Sequence, residues 1–388
     1  MVTLLDSLVT LAAFWLIILF LSSRINFQRY NILVAPLLII WRAERIGNFL
    51  TKLFHKRFQK FWQRVGSGSA ILYLAIFAIT PIILLINLIL VIVSEPSSLL
   101  GQNPITFIDS TILIVIVPIF IALFVHEFAK MIMAAAEGAK IEKAGLMFIL
   151  ILFAPFVQFT SKTLKGLKRR SRIRILSIGM FANLFLAILF IPLFASQSAI
   201  VSNFYDEPNG ALITSVDPNS PASFNLRAGD VIVGIQRVQL TRIVSSQDIN
   251  SSAEFITAMR NIPSGETFVL VLQDFRITFQ GSEPPKDAKI IAGSYIGVEV
   301  IDYQEPKYGF LSPMLPFYFK EFIIWSISIN LILGIFSVLP LPLSDGNKIL
   351  DELLDISQIQ SATKSKLKRL AYMISAVLVI ANVYYTIL

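Results

Sequence analysis

Apolar and polar residues alternate in blocks along this chain, at a scale too long for ordinary globular elements. Predominantly apolar runs cover 4–22, 69–93, 111–136, 175–196, 321–341 and 371–388. A helix needs about 20 apolar residues to cross a bilayer, so the pattern predicts six membrane spans. Two further apolar runs are too short to cross. Tyr30 to Trp41 reads as an interfacial or re-entrant piece. Residues 145–159, with Pro155 inside, read as a hairpin or re-entrant segment. From Arg42 to Arg64, Phe49, Phe54, Phe58 and Trp62 recur at helical spacing among cations, which predicts an amphipathic helix on the membrane surface. Residues 205–307 break the pattern. They are polar, punctuated by Gly and Pro, and read as short strands of one soluble domain.

Composition agrees. The chain has 388 residues, of which 55% are hydrophobic and 15% charged, against about 25% charged in soluble domains. The absence of cysteine removes disulfides, thiolate nucleophiles and thiolate metal ligands. The first apolar run is too long for a signal peptide, and no small-residue cleavage site follows it.

Charge sets the expected orientation. Arg24 to Arg64, Lys162 to Arg174 and Lys348 to Arg369 are basic loops, which the positive-inside rule assigns to the cytoplasm. Residues 94–110 carry Glu95 and Asp109 and no cation, which suits the outside. Residues 205–307 hold 13 acidic and 8 basic residues within a chain of net charge +8. This domain is expected outside the cytoplasm, with both termini outside. The basic, aromatic stretch at 42–64 belongs with the membrane surface, and no nucleic-acid partner is expected beside so many spans.

Two polar islands carry candidate chemistry. The first is His126-Glu127-Phe128-Ala129-Lys130, inside the span 111–136. Ionisable residues within a span are costly and mark function. His-Glu-x-x-His on a helix places two imidazoles on one face with a Glu as general base; here the fifth residue is Lys130. The second island is Leu339-Pro340-Leu341-Pro342-Leu343-Ser344-Asp345-Gly346, closing the span 321–341. The spacing i, i+4 puts Lys130 on the face of His126. A Lys130–Asp345 or Lys130–Glu127 ion pair offsets part of the cost of a buried lysine.

The combination resembles the site-2 protease family, intramembrane zinc metalloproteases built on a three-helix core. Gly179-Met180-Phe181-Ala182-Asn183 is similar to that family's Gly…Ala-Asn helix. Phe156-Val157-Gln158 is similar to its hairpin, where Glu is more usual than Gln158. The resemblance implies zinc as cofactor, His126 and Asp345 as metal ligands, and Glu127 as the catalytic base. Lys130 stands where the second ligand His belongs. Ser337 replaces an Asn, Ser344 a Leu and Asn347 a Gly. The only other histidine is His55, in the basic segment.

Residues 209–235, with Asn209-Gly210-Ala211-Leu212, Ser220-Pro221-Ala222 and Gly229-Asp230-Val231-Ile232, resemble a PDZ domain of the kind attached to prokaryotic proteases. That implies a second helix at Ala253–Arg260 and a strand at Thr267–Gln273. It also implies a peptide-binding loop at Gly210, Ala211 and Leu212 that receives a carboxylate, and strand addition by an extended peptide.

The expected fold is a polytopic α-helical membrane protein with an inserted mixed α/β PDZ domain. The expected domains are 1–66 (first span and basic segment), 67–200 (first part of the membrane core), 201–310 (PDZ-like) and 311–388 (second part of the core). The expected activity is a membrane metalloendopeptidase of regulated intramembrane proteolysis, acting on membrane-anchored proteins in a prokaryotic cell membrane. The alternative is a pseudoprotease that binds transmembrane or PDZ-ligand peptides. A transporter built on Glu127, Lys130 and Asp345 fits less well, because the hydrophobic pattern shows no inverted repeat.

Overall fold

The computed structural model describes residues 4–43, 58–93, 112–139, 141, 143–150, 152–158, 163, 166–239, 242–283, 293–342, 344–356 and 359–387. Two compact units emerge, Met1–Pro192 with Ile324–Leu388, and Leu193–Ile323.

Five described helices are long and apolar enough to cross a membrane. They are α2 (Gln59–Val93), α3 (Ile112–Ala136), α4 (Arg169–Ala195), α7 (Leu315–Val338) and α9 (Ser361–Ile387). The expected first span is a 21-residue helix, α1 (Leu4–Arg24). Among the described residues its apolar stretch runs over Val9–Arg24. The expected surface helix is cut differently. Residues 44–57, with Phe49, Phe54 and His55, lie outside the described residues, and Gln59 to Arg64 form the start of α2. The acidic loop 94–110 also lies outside them.

The two short apolar runs meet. Tyr30–Trp41 holds β1 (Ile32–Ala35) and β2 (Leu38–Arg42), and 145–159 holds β3 (Lys143–Ile149) and β4 (Leu152–Gln158). They form one antiparallel sheet in the order β1-β2-β3-β4. Pairing within a sheet satisfies the backbone groups that a lone short apolar strand would leave unpaired in lipid. Helix α1 joins this sheet at the β3–β4 turn. The indole of Trp15 donates to Leu150 O at 3.0 Å and stacks on Phe148.

In the core, α3 packs on α4 through Met133, Ala134, Ile175 and Ile178, all buried. Tyr73 of α2 is fully buried among Leu176, Met180, Val338 and Ile349, and its hydroxyl donates to Ser337 O at 2.9 Å. After α7, Pro340 and Pro342 prevent the helix from continuing. Ser344 then starts α8 (Asp345–Leu354), its hydroxyl accepting the Asn347 N–H at 3.0 Å. That cap places Asp345 at the first helical position, where a carboxylate suits the helix dipole.

The second unit carries α5 (Gln197–Val201), β5 (Tyr205–Val216), β6 (Val231–Gln239), β7 (Arg242–Asp248), α6 (Ser252–Arg260), β8 (Thr267–Leu272), β9 (Arg276–Gln280) and β10 (Val298–Pro306). Its sheet runs β10-β5-β6-β8-β9, with β7 also on β6. Alternate residues of β5, β6 and β8 close over Phe255, Ala258 and Met259 of α6. The second helix expected at 253–260 and the strand expected at 267–273 are both present within one residue.

The expected loop at Gly210, Ala211 and Leu212 is not a loop. These residues lie inside β5, opposite Tyr303, Asp302 and Ile301 of β10, while Ala211 and Leu212 also pair with Ile232 and Val231 of β6. Ala211 and Leu212 are buried. A Cβ on Gly210 would stand 2.9 Å from Val231 Cγ1, so this glycine serves close packing of strands.

Candidate functional site

Three elements bring the two polar islands together. Helix α3 supplies His126, Glu127 and Lys130; α4 supplies Gly179 and Asn183; α8 supplies Asp345 and Lys348. His126, Lys130, Asn183 and Asp345 are all buried. They line a cavity of about 390 Å3 whose apolar wall includes Leu123 of α3, Pro155 and Phe156 of β4, and Phe336 of α7.

Their polar atoms form a connected chain. The Asn183 amide donates to His126 Nδ1 at 3.3 Å. On the other side of the ring, His126 Nε2 lies 3.2 Å from Asp345 Oδ2. Lys130 Nζ sits 2.5 Å from the same Oδ2 and 3.0 Å from Glu127 Oε1. Lys348, half exposed, reaches the other Asp345 oxygen at 3.3 Å. A buried charge is costly unless paired and hydrogen-bonded, and here Lys130 meets two partners and Asp345 three.

Gly179 makes this possible. A Cβ at that position would lie 2.5 Å from His126 Nε2, so the imidazole lies against bare α4 backbone. Gly346 plays the matching part for α8, since its Cβ would fall 2.1 Å from Val338 O. Further out, Arg172 of α4 makes a two-pronged bond to Glu352 of α8 at 2.7 and 2.6 Å. Arg174 and Ser171 of α4 bond Glu137, just past α3, at 2.9 and 2.6 Å. Helices α3 and α8 are thereby clamped to α4.

The model of peptidase family M50 matches residues 114–382. The chain belongs to peptidase family M50. This is the family of site-2 proteases, membrane metalloproteases that depend on zinc. A Methanocaldococcus jannaschii relative carrying the name "Uncharacterized protein MJ0971" is 26% identical over 345 residues, 86% of this chain and 80% of that protein. The "Membrane-bound transcription factor site-2 protease homolog" of Arabidopsis thaliana is 28% identical over 210 residues, 50% of this chain. That alignment spans 39% of the Arabidopsis protein. Among solved structures, the PDZ domain of the SdrC-like protein of Listeria monocytogenes covers 24% of this chain and 87% of that one, at 22% identity and a TM-score of 0.19.

Zinc in M50 peptidases needs ligand atoms that face a common point, and tetrahedral sites take three or four N, S or O donors. In this M50 chain those atoms face one another. His126 Nε2 is turned on Asp345, both Asp345 oxygens are engaged by lysines, and Glu127 holds the Lys130 ammonium. Among the described residues, no group of three or more His, Cys, Asp or Glu is gathered for a metal. An ammonium has no lone pair to give. The residues in the M50 site of this chain do not fit zinc.

Sequence reasoning singled out His126, Glu127, Lys130 and Asp345, and these lie side by side. It missed Lys348 and the roles of Ser344, Tyr73 and Asn347. The signal for Lys348 was present, three residues beyond Asp345 on one helix face. Asn347, which replaces a family Gly, receives the hydroxyl of Tyr372 from α9.

Proposed function

We propose that this M50 member is a pseudoprotease, a membrane-embedded protein that holds a polypeptide segment without hydrolysing it. The observation that carries the reading is the Lys130 ammonium, buried 2.5 Å from Asp345 and 3.0 Å from Glu127. In zinc proteases of this type the metal draws ligands and base together, and here a fixed cation supports the same convergence. The role read for Lys130 is therefore structural. The cavity beside it, walled by Pro155, Phe156 and Phe336, suits an apolar segment of a membrane-anchored partner. The prokaryotic cell membrane is its expected site, with the basic loops cytoplasmic and the PDZ-like unit outside.

A peptide at the PDZ-like unit would add to β10 rather than to the 210–212 stretch. Strand β10 ends the sheet order, and its other neighbour is a cavity of about 320 Å3 lined by Val300, Asp302, Gln304 and Ser252 of α6. Asp302 accepts from both the N–H and the hydroxyl of Ser252 at 2.8 and 2.6 Å, tying that helix start to the strand.

Zinc content of the purified protein tests the reading. Wild type is expected to carry far less than one zinc per chain and to leave a membrane-inserted model substrate uncut, with or without chelator. Lys130→His should raise the zinc content. Stoichiometric tight zinc in wild type would overturn the proposal. Retained Glu127, part exposed to the cavity, favours a second reading, residual hydrolysis. Chelator-sensitive cleavage that vanishes in Glu127→Gln would establish it.

A further inference from the structure

Within the unit Leu193–Ile323, two segments expose aromatic rings while being held rigidly. Phe310 is 85% exposed, Tyr308 50% and Phe204 48%. The rings of Tyr308 and Phe310 stack with centroids 5.9 Å apart. Their backbone does not hang free. Lys307 N–H donates to Phe204 O at 2.9 Å, and its ammonium donates to Ser202 O at 2.7 Å. The buried Tyr205 hydroxyl donates to Ser312 O at 2.8 Å. Three aromatic rings thus project from two stapled strands of chain, an arrangement that a water-facing loop has no reason to keep.

Chain position says what covers them. Phe310 lies five residues before Leu315, the start of the 24-residue span α7. Phe204 lies nine residues past Ala195, the end of the span α4. At no more than about 3.3–3.6 Å per residue, these rings stay within roughly 15–30 Å of two membrane exits. Residues 307–314, Lys-Tyr-Gly-Phe-Leu-Ser-Pro-Met, contain no acidic side chain. Aromatic rings with an adjacent cation suit the headgroup layer, where an apolar body and a polar partner are both served.

We propose that Phe204, Tyr308 and Phe310 form a rigid aromatic anchor seated in the lipid headgroup layer. It fixes the end of β10, which stops at Pro306 one residue before Lys307, against the bilayer surface. The anchor stands whether or not β10 takes a peptide.

The chain has no cysteine, so Phe204→Cys, Tyr308→Cys and Phe310→Cys each give one spin-label site in the full-length protein. Phe224→Cys serves as the control, because Phe224 is 92% exposed in a short helical turn of the same unit. In lipid nanodiscs, labels at 308 and 310 should collide with oxygen several-fold more, and with a nickel chelate several-fold less, than the label at 224. Nickel accessibility equal to that at 224 would overturn the anchor. Shielding from both relaxants that grows with protein concentration would overturn it too, in favour of a protein interface. Phe310→Trp keeps the ring and guards against local damage. Its added emission should be quenched by lipids brominated near the headgroup end of the acyl chain, and unquenched emission would refute the insertion.

Discussion

Asp345→Asn is the sharpest test of a cation standing where the family holds its metal. The amide keeps the shape of the carboxylate and removes its charge. Lys130 would then keep one charged partner, Glu127 at 3.0 Å, and lose the contact at 2.5 Å. Removing one member of a buried ion pair costs about 3–5 kcal/mol, because the survivor remains desolvated. Glu127 retains part of the interaction, so the lower end, about 3 kcal/mol, is expected. For a domain of 150–250 residues each kcal/mol moves the midpoint by about 2–4 °C, giving a fall of roughly 6–12 °C. Lys130→Met with Asp345→Leu removes the pair together, and apolar replacements of buried pairs are often neutral or better. The double variant leaves no desolvated ammonium, but it strips Glu127 and His126 of one partner each, so its midpoint should fall below wild type yet stay above that of Asp345→Asn. The assay is thermal unfolding in lipid nanodiscs at one scan rate, with and without chelator. An unchanged midpoint in Asp345→Asn would refute the argument. So would a chelator-induced fall in wild type as large as the mutational one, since the metal would then be holding the site.

Two other variants probe the frame around the pair. Gly179→Ala puts a methyl carbon where the imidazole lies, 2.5 Å from His126 Nε2; overpacking of this kind costs about 1–3 kcal/mol. A lower unfolding midpoint is expected, with a shift of the His126 ring resonances, and an unmoved ring would contradict the close approach. Glu352→Gln weakens the two-pronged bond to Arg172, and charge-assisted bonds are worth about 1.5–3 kcal/mol. Amide hydrogen exchange over 345–354 should speed up by about tenfold or more, whereas unchanged exchange would show that α8 is held by packing alone.

What could be read in advance follows from how local each signal is. Long apolar runs report membrane helices because a span must satisfy its own backbone, and five of them do so here. The convergence of His126 and Asp345 was readable because two motifs of one family occurred together. Pairing between remote segments was not readable. Trp41 faces Leu146 across β2 and β3, and nothing within either stretch specifies a partner more than a hundred residues away. The same holds for Trp15 and Leu150. The loop expected at Gly210, Ala211 and Leu212 was what the PDZ resemblance implied, and these residues stand in strand β5. Glycine marks both loops and close strand approaches, and only the neighbours Val231 and Ile232 decide which.

The departures from the family pattern are not independent losses. Ser344 caps α8 and also donates to Leu339 O at 2.7 Å. Asn347 takes the Tyr372 hydroxyl, and Ser337 offers its carbonyl to Tyr73. Each replaced side chain or its backbone is tied to an element packed around the site. Lys348 adds a second cation to the Asp345 carboxylate that the family uses as a ligand. A site that had merely lost one histidine would leave its remaining polar groups short of partners, at a cost for each buried one. Here, around the Lys130–Asp345 pair, the side-chain atom left unsatisfied among the described residues is Asn183 Oδ1. Two cations, Lys130 and Lys348, face two carboxylates, Glu127 and Asp345, and the Asn183 amide lies against the His126 ring. Such a balance is what a buried polar cluster requires if it is to stabilise a membrane core rather than burden it.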